Sequence, residues 1–165
     1  ATVDFNSWPT IPKTILVLLM FIGACAGSTG GGIKVSRIVL LFRSLTKELS
    51  QSLHPNQVRK IHFEGRAVEH VVLRSVNVFI AAYILIFAIS VLLIGIDNYD
   101  LVTNFTAVAA TLNNIGPGLE LVGPAQNFGL FSNFSKLVLT FDMLAGRLEL
   151  FPLLLLFYRG TWKRF

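Results

Sequence analysis

Three stretches of this chain place irregular backbone or charge where a hydrocarbon surrounding should forbid them. The first is Gly23-Ala24-Cys25-Ala26-Gly27-Ser28-Thr29-Gly30-Gly31-Gly32, followed by Ile33-Lys34 and set between the apolar runs 15–22 and 35–42. Lipid offers no hydrogen-bond partner, so non-helical backbone at membrane depth survives only packed in protein or beside a wet cavity. The second is Asn113-Asn114-Ile115-Gly116-Pro117-Gly118, which closes a short apolar segment that starts at Leu101. If that segment is a helix, its C-terminus carries about half a negative charge. Glycine lets carbonyls behind it face one axis, and such carbonyls can replace the hydration shell of a monovalent cation. The third is Arg147, inside an apolar run with Asp142 and Glu149. An intramembrane cation is costly unless it is paired or wet.

Each stretch also has a plainer reading. Asn113 to Gly118 could be an extracellular turn built from Asn, Gly and Pro. Gly23 and Gly27 have the small-xxx-small spacing of tightly packed helices. Gly30, Gly31 and Gly32 do not fit that pattern, since adjacent residues point in three directions. At about 1 kcal/mol each relative to alanine they disfavour a continuous helix and favour a movable loop. Gly27 and Gly32 have the spacing of a phosphate-binding loop, but Ile33 stands where its lysine belongs. Arg147 could snorkel to an interface, although it sits near the middle of its run. Asp142 lies about 140° and Glu149 about 200° away on a helix, so partners on neighbouring helices are expected for both acids. Cys25 reads as a small packing residue. His54, His62 and His70 lack metal-ligand spacing, and no Ser/His/Asp or paired-carboxylate arrangement suggests an enzyme.

The elements that must carry these stretches follow from composition. The 165 residues are 53% hydrophobic and 14% charged, against about 25% charged in an ordinary soluble domain. An all-α integral membrane protein is expected, in contact with lipid. A span needs about 20 apolar residues. Three stretches qualify: 11–42 with its glycine break, 76–96, and 137–158. The segment 101–113 is too short to cross and reads as a re-entrant pore helix. The chain divides into residues 1–42 with the broken span, a polar linker at 43–75 with a small hairpin near Gly65, and residues 76–165. A Gly-rich element attached to long helices stands on each side of Arg74. Lys and Arg concentrate between the first two spans and after the third, which places both regions in the cytoplasm. The net charge of +5 is this topological bias and does not point to nucleic acid. The chain begins at Ala1 without a basic leader region, so it reads as a piece of a longer protein. From the residues alone, three functions stay open. They are part of a cation pore, a broken-helix carrier of alternating-access type, and a small homotetrameric cation channel.

Ala26-Gly27-Ser28-Thr29-Gly30-Gly31-Gly32-Ile33-Lys34-Val35, Ala110-Thr111-Leu112-Asn113-Asn114-Ile115-Gly116-Pro117-Gly118 and Gly146-Arg147-Leu148-Glu149 together resemble the TrkH-type potassium-uptake subunits of the Trk/Ktr/HKT superfamily. The likeness runs in order along essentially the whole chain. It implies four helix–pore-loop–helix repeats around one K⁺ path, with this chain holding half of the third repeat and all of the fourth. It implies that residues 114–118 form one filter corner, with K⁺ at Asn114, Ile115 and Gly116. It also implies that residues 23–32 gate the path and that Arg147 projects into it. Asn-Ile-Gly-Pro-Gly departs from the Thr-Val-Gly-Tyr-Gly of potassium channels, which suggests a looser corner. The resemblance further implies a multi-pass protein of the bacterial inner membrane, a homodimer, and a TrkA-like cytosolic nucleotide-binding ring protein as regulator. Symport with a second ion belongs to the same expectation.

Overall fold

The computed structural model describes residues 3–25, 28, 30–54, 61–63 and 65–147. Five α-helices carry them: α1 (Thr10–Met20), α2 (Val35–Leu53), α3 (His70–Ile94), α4 (Leu101–Leu112) and α5 (Asn133–Arg147). A two-stranded antiparallel hairpin, β1 (His62–Phe63) and β2 (Arg66–Ala67), lies between α2 and α3. It turns at Gly65, whose φ is +77°.

The expected first span is split. α1 stops at Met20 and α2 starts at Val35, and the described residues between them are not helical. α2 does not end near Phe42, where a polar linker was expected to begin. It continues to Leu53 because Phe42, Leu45, Leu49 and Leu53 repeat at helical spacing and form an apolar stripe among Arg43, Lys47 and Glu48. At the other end α3 begins at His70, six residues before the expected start. Most of the linker's described residues are therefore helical, with the hairpin between the two helices. Ile61 packs with Leu40, Leu73 and Val76, and the Arg43 guanidinium donates to the His62 carbonyl.

α3 has 25 residues, about 38 Å of helix, which exceeds the ~30 Å hydrocarbon core. Among the described residues it is the one helix long and apolar enough to cross a membrane by length and composition. Its most apolar stretch is only 22% buried. Val71, Ile84, Leu85 and Leu92 lie open to the surroundings, a surface that water tolerates badly and lipid tolerates well. α3 ends at Gly95 in a short 3₁₀ turn, and the left-handed Asn98, φ 56°, reverses the chain.

α4 is the opposite case. Its 12 residues reach about 18 Å, and Ala107, Val108, Ala109, Ala110 and Leu112 are all 0% exposed. The alanines let α5 pack closely against it. Ile94, Ala107, Val108, Val122, Phe131 and Leu139 form one core around its middle. Phe79, Tyr83, Leu112 and Ala145 form a second core around its end. α5 begins at Asn133, four residues before the expected start. The expected part of this span beyond Arg147 lies outside the described residues.

Asp100 starts α4. One carboxylate oxygen accepts the Thr103 N–H at 2.9 Å and the other accepts the Thr103 hydroxyl at 2.6 Å. These bonds, the hydroxyl first, hold the carboxyl below the usual carboxylate range. Its stabilising contribution is therefore present above the unfolded value of ~3.9 and is lost as pH falls through the lower folded value. Asp100→Ala is expected to cost about 1 kcal/mol at neutral pH. Melting curves should show the gap to the parent protein narrowing below pH ~4.

Candidate functional site

The end of α4 is a built backbone turn. The Asn114 N–H donates to the Thr111 carbonyl at 3.0 Å, and the Ile115 and Gly116 N–H groups donate to the Ala110 carbonyl at 2.9 and 3.5 Å. The turn needs left-handed backbone at Asn114, φ 54°, and φ 109° at Gly116. No peptide bond is cis among the described residues. In a trans peptide the carbonyl points opposite to the following N–H. The carbonyls of Asn114 and Ile115 are thus directed away from the Ala110 carbonyl and the helix end, and Ile115 and Gly116 are exposed. The returning chain is fastened as well. The Gly118 N–H donates to the Val122 carbonyl at 2.7 Å, and the Leu119 N–H to Thr106 Oγ1 at 3.0 Å.

Side chains hold this turn from behind. Asn113 Oδ1 accepts the Tyr83 hydroxyl at 2.8 Å, and Asn113 Nδ2 donates to the Ala109 carbonyl at 2.9 Å. Asn114 Nδ2 donates to the Met143 carbonyl of α5 at 3.1 Å. The Asn114 side-chain amide is therefore a strut to α5. Tyr83 was not singled out from sequence, and Asn113 was read only as part of the Asn-Gly-Pro stretch and not as a support for it. Asn113 alone offered a signal, as an amide closing an apolar helix.

The glycine break is tied at its neck. The Gly23 N–H donates to the Ile33 carbonyl at 2.8 Å, the Val35 N–H donates to the Ala24 carbonyl at 3.2 Å, and Ile22 and Ile33 form a parallel bridge. Gly23 sits in this neck, outside α1, so helix-to-helix packing does not account for it. Ser28 Oγ accepts the Gly30 N–H at 3.2 Å. The loop then lies on the end of α4. A Cβ on Gly31 would stand 2.8 Å from the Asn113 carbonyl oxygen, and one on Gly32 would stand 2.6 Å from Asn113 Oδ1. Gly32 also has φ +80°. Ala26, Gly27 and Thr29 lie outside the described residues.

Gly146 of α5 meets the same turn from the other side, where a Cβ would run into the Leu112 carbonyl oxygen. Next to it Arg147 is exposed. It lines a cavity of about 70 Å³ with Gly30, Gly32, Lys34, Arg37 and Tyr83. Ser28, Gly30 and Gly32 of the glycine break and Arg147, more than 100 positions apart by number, thus share one wall. A larger hollow of about 430 Å³ lies across the turn, lined by Met20, Gly23, Gly31, Asn114, Ile115 and Pro117 among others. Asp142 faces elsewhere. It is 0% exposed, and its Oδ1 accepts the Ser90 hydroxyl of α3 at 2.7 Å, so its partner is on a neighbouring helix. Leu148 and Glu149 lie outside the described residues. Among the described residues no group of three His, Cys, Asp or Glu could hold a metal ion.

This arrangement has known counterparts. The TrkH family profile, described as cation transport protein, matches residues 1–161. The chain is 45% identical over 156 residues to the Trk system potassium uptake protein TrkH of Salmonella typhimurium, covering 94% of this chain and 32% of that protein. It is 37% identical over 163 residues to the Trk system potassium uptake protein TrkG of Escherichia coli K12, covering 99% and 33%. The crystal structure of the potassium transporter TrkH from Vibrio parahaemolyticus aligns with a TM-score of 0.87 at 43% identity, over 98% of this chain and 34% of that one. The chain spans about a third of the length of these relatives. It belongs to the TrkH family of cation transport proteins.

Proposed function

We propose that this chain forms part of the wall of a potassium-uptake pathway in a bacterial cytoplasmic membrane. In this reading α4 is a pore helix and the carbonyls of Asn114, Ile115 and Gly116 supply one corner of the ion filter. Residues 76–165 are one helix–pore-loop–helix repeat, and residues 1–42 are the latter half of another. Residues 23–32 gate the path beneath the filter. Arg147 stands at the same level as a fixed positive charge that slows cations. The full subunit works as a homodimer under a nucleotide-binding ring protein on the cytoplasmic side, where the C-terminus also lies. K⁺ is the cargo, with or without a co-transported ion.

One observation carries the proposal. The N–H groups of Ile115 and Gly116 are both turned back onto Ala110, which leaves carbonyl oxygens on the open face of a turn that ends a buried helix. That is the arrangement with which backbone replaces a cation's water shell. The names of the relatives, potassium uptake proteins, support K⁺ as that cation.

The test is Gly116→Ala in the gene product that carries this sequence, expressed in cells lacking other K⁺ uptake. Alanine at φ 109° costs roughly 1–3 kcal/mol of backbone strain, which the turn relieves by rotating a carbonyl. Rb⁺ and K⁺ uptake should fall on the order of tenfold or more, since 1.4 kcal/mol is one decade, while the protein remains in the membrane. Uptake equal to that of the parent protein would refute this assignment of the filter.

A further inference from the structure

The turn at the end of α4 is held at its outer side by a residue far away in sequence. Asn6 precedes α1. Its Nδ2 donates to the Glu120 carbonyl at 2.8 Å, and its Oδ1 accepts the Glu120 N–H at 2.9 Å. One side-chain amide thus pairs with both polar groups of one backbone residue, as a neighbouring strand would. Only one orientation of the amide satisfies both bonds. Its own backbone is fastened in turn, because Asp4 Oδ1 accepts the Asn6 N–H at 3.0 Å.

Glu120 is a demanding partner. Its φ is 52°, a left-handed conformation that a non-glycine residue keeps only when its surroundings impose it. From Glu120 the chain of bonds runs straight to the turn. The Gly123 N–H donates to the Glu120 carbonyl at 3.2 Å, and Val122 accepts the Gly118 N–H at 2.7 Å. Gly118 is the last residue of the filter segment proposed above. Gly123 faces the Asn6 amide so closely that a Cβ there would collide with Asn6 Nδ2. The Lys13–Glu120 ion pair at 3.8 Å bridges the same two segments, but Glu120 is half exposed, so this pair contributes little.

We propose that Asn6 is a positioning residue for ion discrimination: its amide clamps Glu120 and so fixes the outer end of residues 116–118. The proposal rests on the cation-pathway reading of this turn. A carbonyl cage discriminates between ions through the spacing and rigidity of its oxygens, and loosening one end relaxes both. The stretch 6–34 therefore grips the turn at two ends, with Asn6 outside and Gly31 and Gly32 against Asn113 inside.

The experiment measures Rb⁺ uptake against rising Na⁺ in cells expressing the gene product that carries this sequence, together with maximal K⁺ uptake and detergent melting curves. Asn6→Ala removes the clamp. Gly123→Ala displaces it while keeping Asn6, and alanine is compatible with the φ of −64° at Gly123. Both variants are expected to lower the preference for Rb⁺ over Na⁺ about threefold or more, with maximal uptake within about twofold of the parent protein. Lys13→Met, which breaks the ion pair alone, should leave ion preference unchanged. If Asn6→Ala fails to reach the membrane, Gly123→Ala carries the test. Unchanged ion preference in a folded Asn6→Ala or Gly123→Ala variant overturns the proposal, as does an equal loss of preference in Lys13→Met. A parent protein that takes up neither Rb⁺ nor K⁺ overturns the cation-pathway reading and this inference with it. Transport with unaltered preference in the variants overturns this inference alone.

Discussion

Gly146→Ala is expected to abolish K⁺ uptake and to lower the melting temperature of the purified protein by many degrees. At Gly146, helix α5 crosses the end of α4 so closely that a methyl group would overlap the Leu112 carbonyl oxygen. The obstacle is backbone. Leu112 is 0% exposed, and the Asn113–Gly118 turn begins immediately after it, so the carbonyl has no free direction in which to retreat. Asn114 Nδ2, which would stand 2.7 Å from the new Cβ, is meanwhile bonded to Met143 one turn earlier on α5. Overpacking of this kind typically costs 1–3 kcal/mol and sometimes more, about a fifth of a domain's whole stability. The same shift that relieves the overlap moves the carbonyls of Asn114 and Ile115. Leu144→Ala, on the exposed side of the same helix, should leave both readouts close to those of the parent. A Gly146→Ala protein with normal uptake and normal melting would show that α5 does not press on the turn.

The second large effect belongs to the glycine break. Gly32→Ala adds two penalties at one atom. The first is the left-handed φ of +80°, which costs a Cβ-bearing residue roughly 1–2 kcal/mol. The second is the approach to Asn113 Oδ1 at 2.6 Å, which displaces the acceptor of the Tyr83 hydroxyl and leaves a buried donor unpaired, about 1–3 kcal/mol more. Gly65 is the natural control. Its φ is +77°, but nothing stands within 4 Å of its missing Cβ. Gly65→Ala should therefore lower the melting temperature slightly and leave uptake alone. Gly32→Ala should lower the melting temperature further and change the uptake rate on the order of tenfold, since each 1.4 kcal/mol moves an open–closed equilibrium by a decade. Equal behaviour of the two variants in both measurements would mean that the loop does not act on the turn.

The same comparison separates what local pattern can encode from what packing decides. Apolar runs too long and too uncharged for a soluble domain declared a membrane protein, and 101–113 declared itself too short to cross. Three adjacent glycines forbade a continuous helix through 30–32, and the Asn-Gly-Pro turn was legible because it is specified by residues a few positions apart. The helical half of the linker was missed for a local reason. The charges of α2 masked an apolar stripe at 42, 45, 49 and 53 that spacing alone would have shown.

The site itself was legible only as three separate stretches. That Gly32 and Gly146 press on one short turn from opposite sides, that Tyr83 and Met143 secure the two asparagines, and that Asn6 holds Glu120 could not be read from any window of sequence. Those partners lie 29, 30 and 114 positions apart. Chain order says which groups need a hydrogen bond or lack a Cβ. Which of them meet is decided by how α4, buried from Thr103 onward apart from the half-buried Phe105, is enclosed by the helices and the loop around it, because contact depends on distance in space and not along the chain.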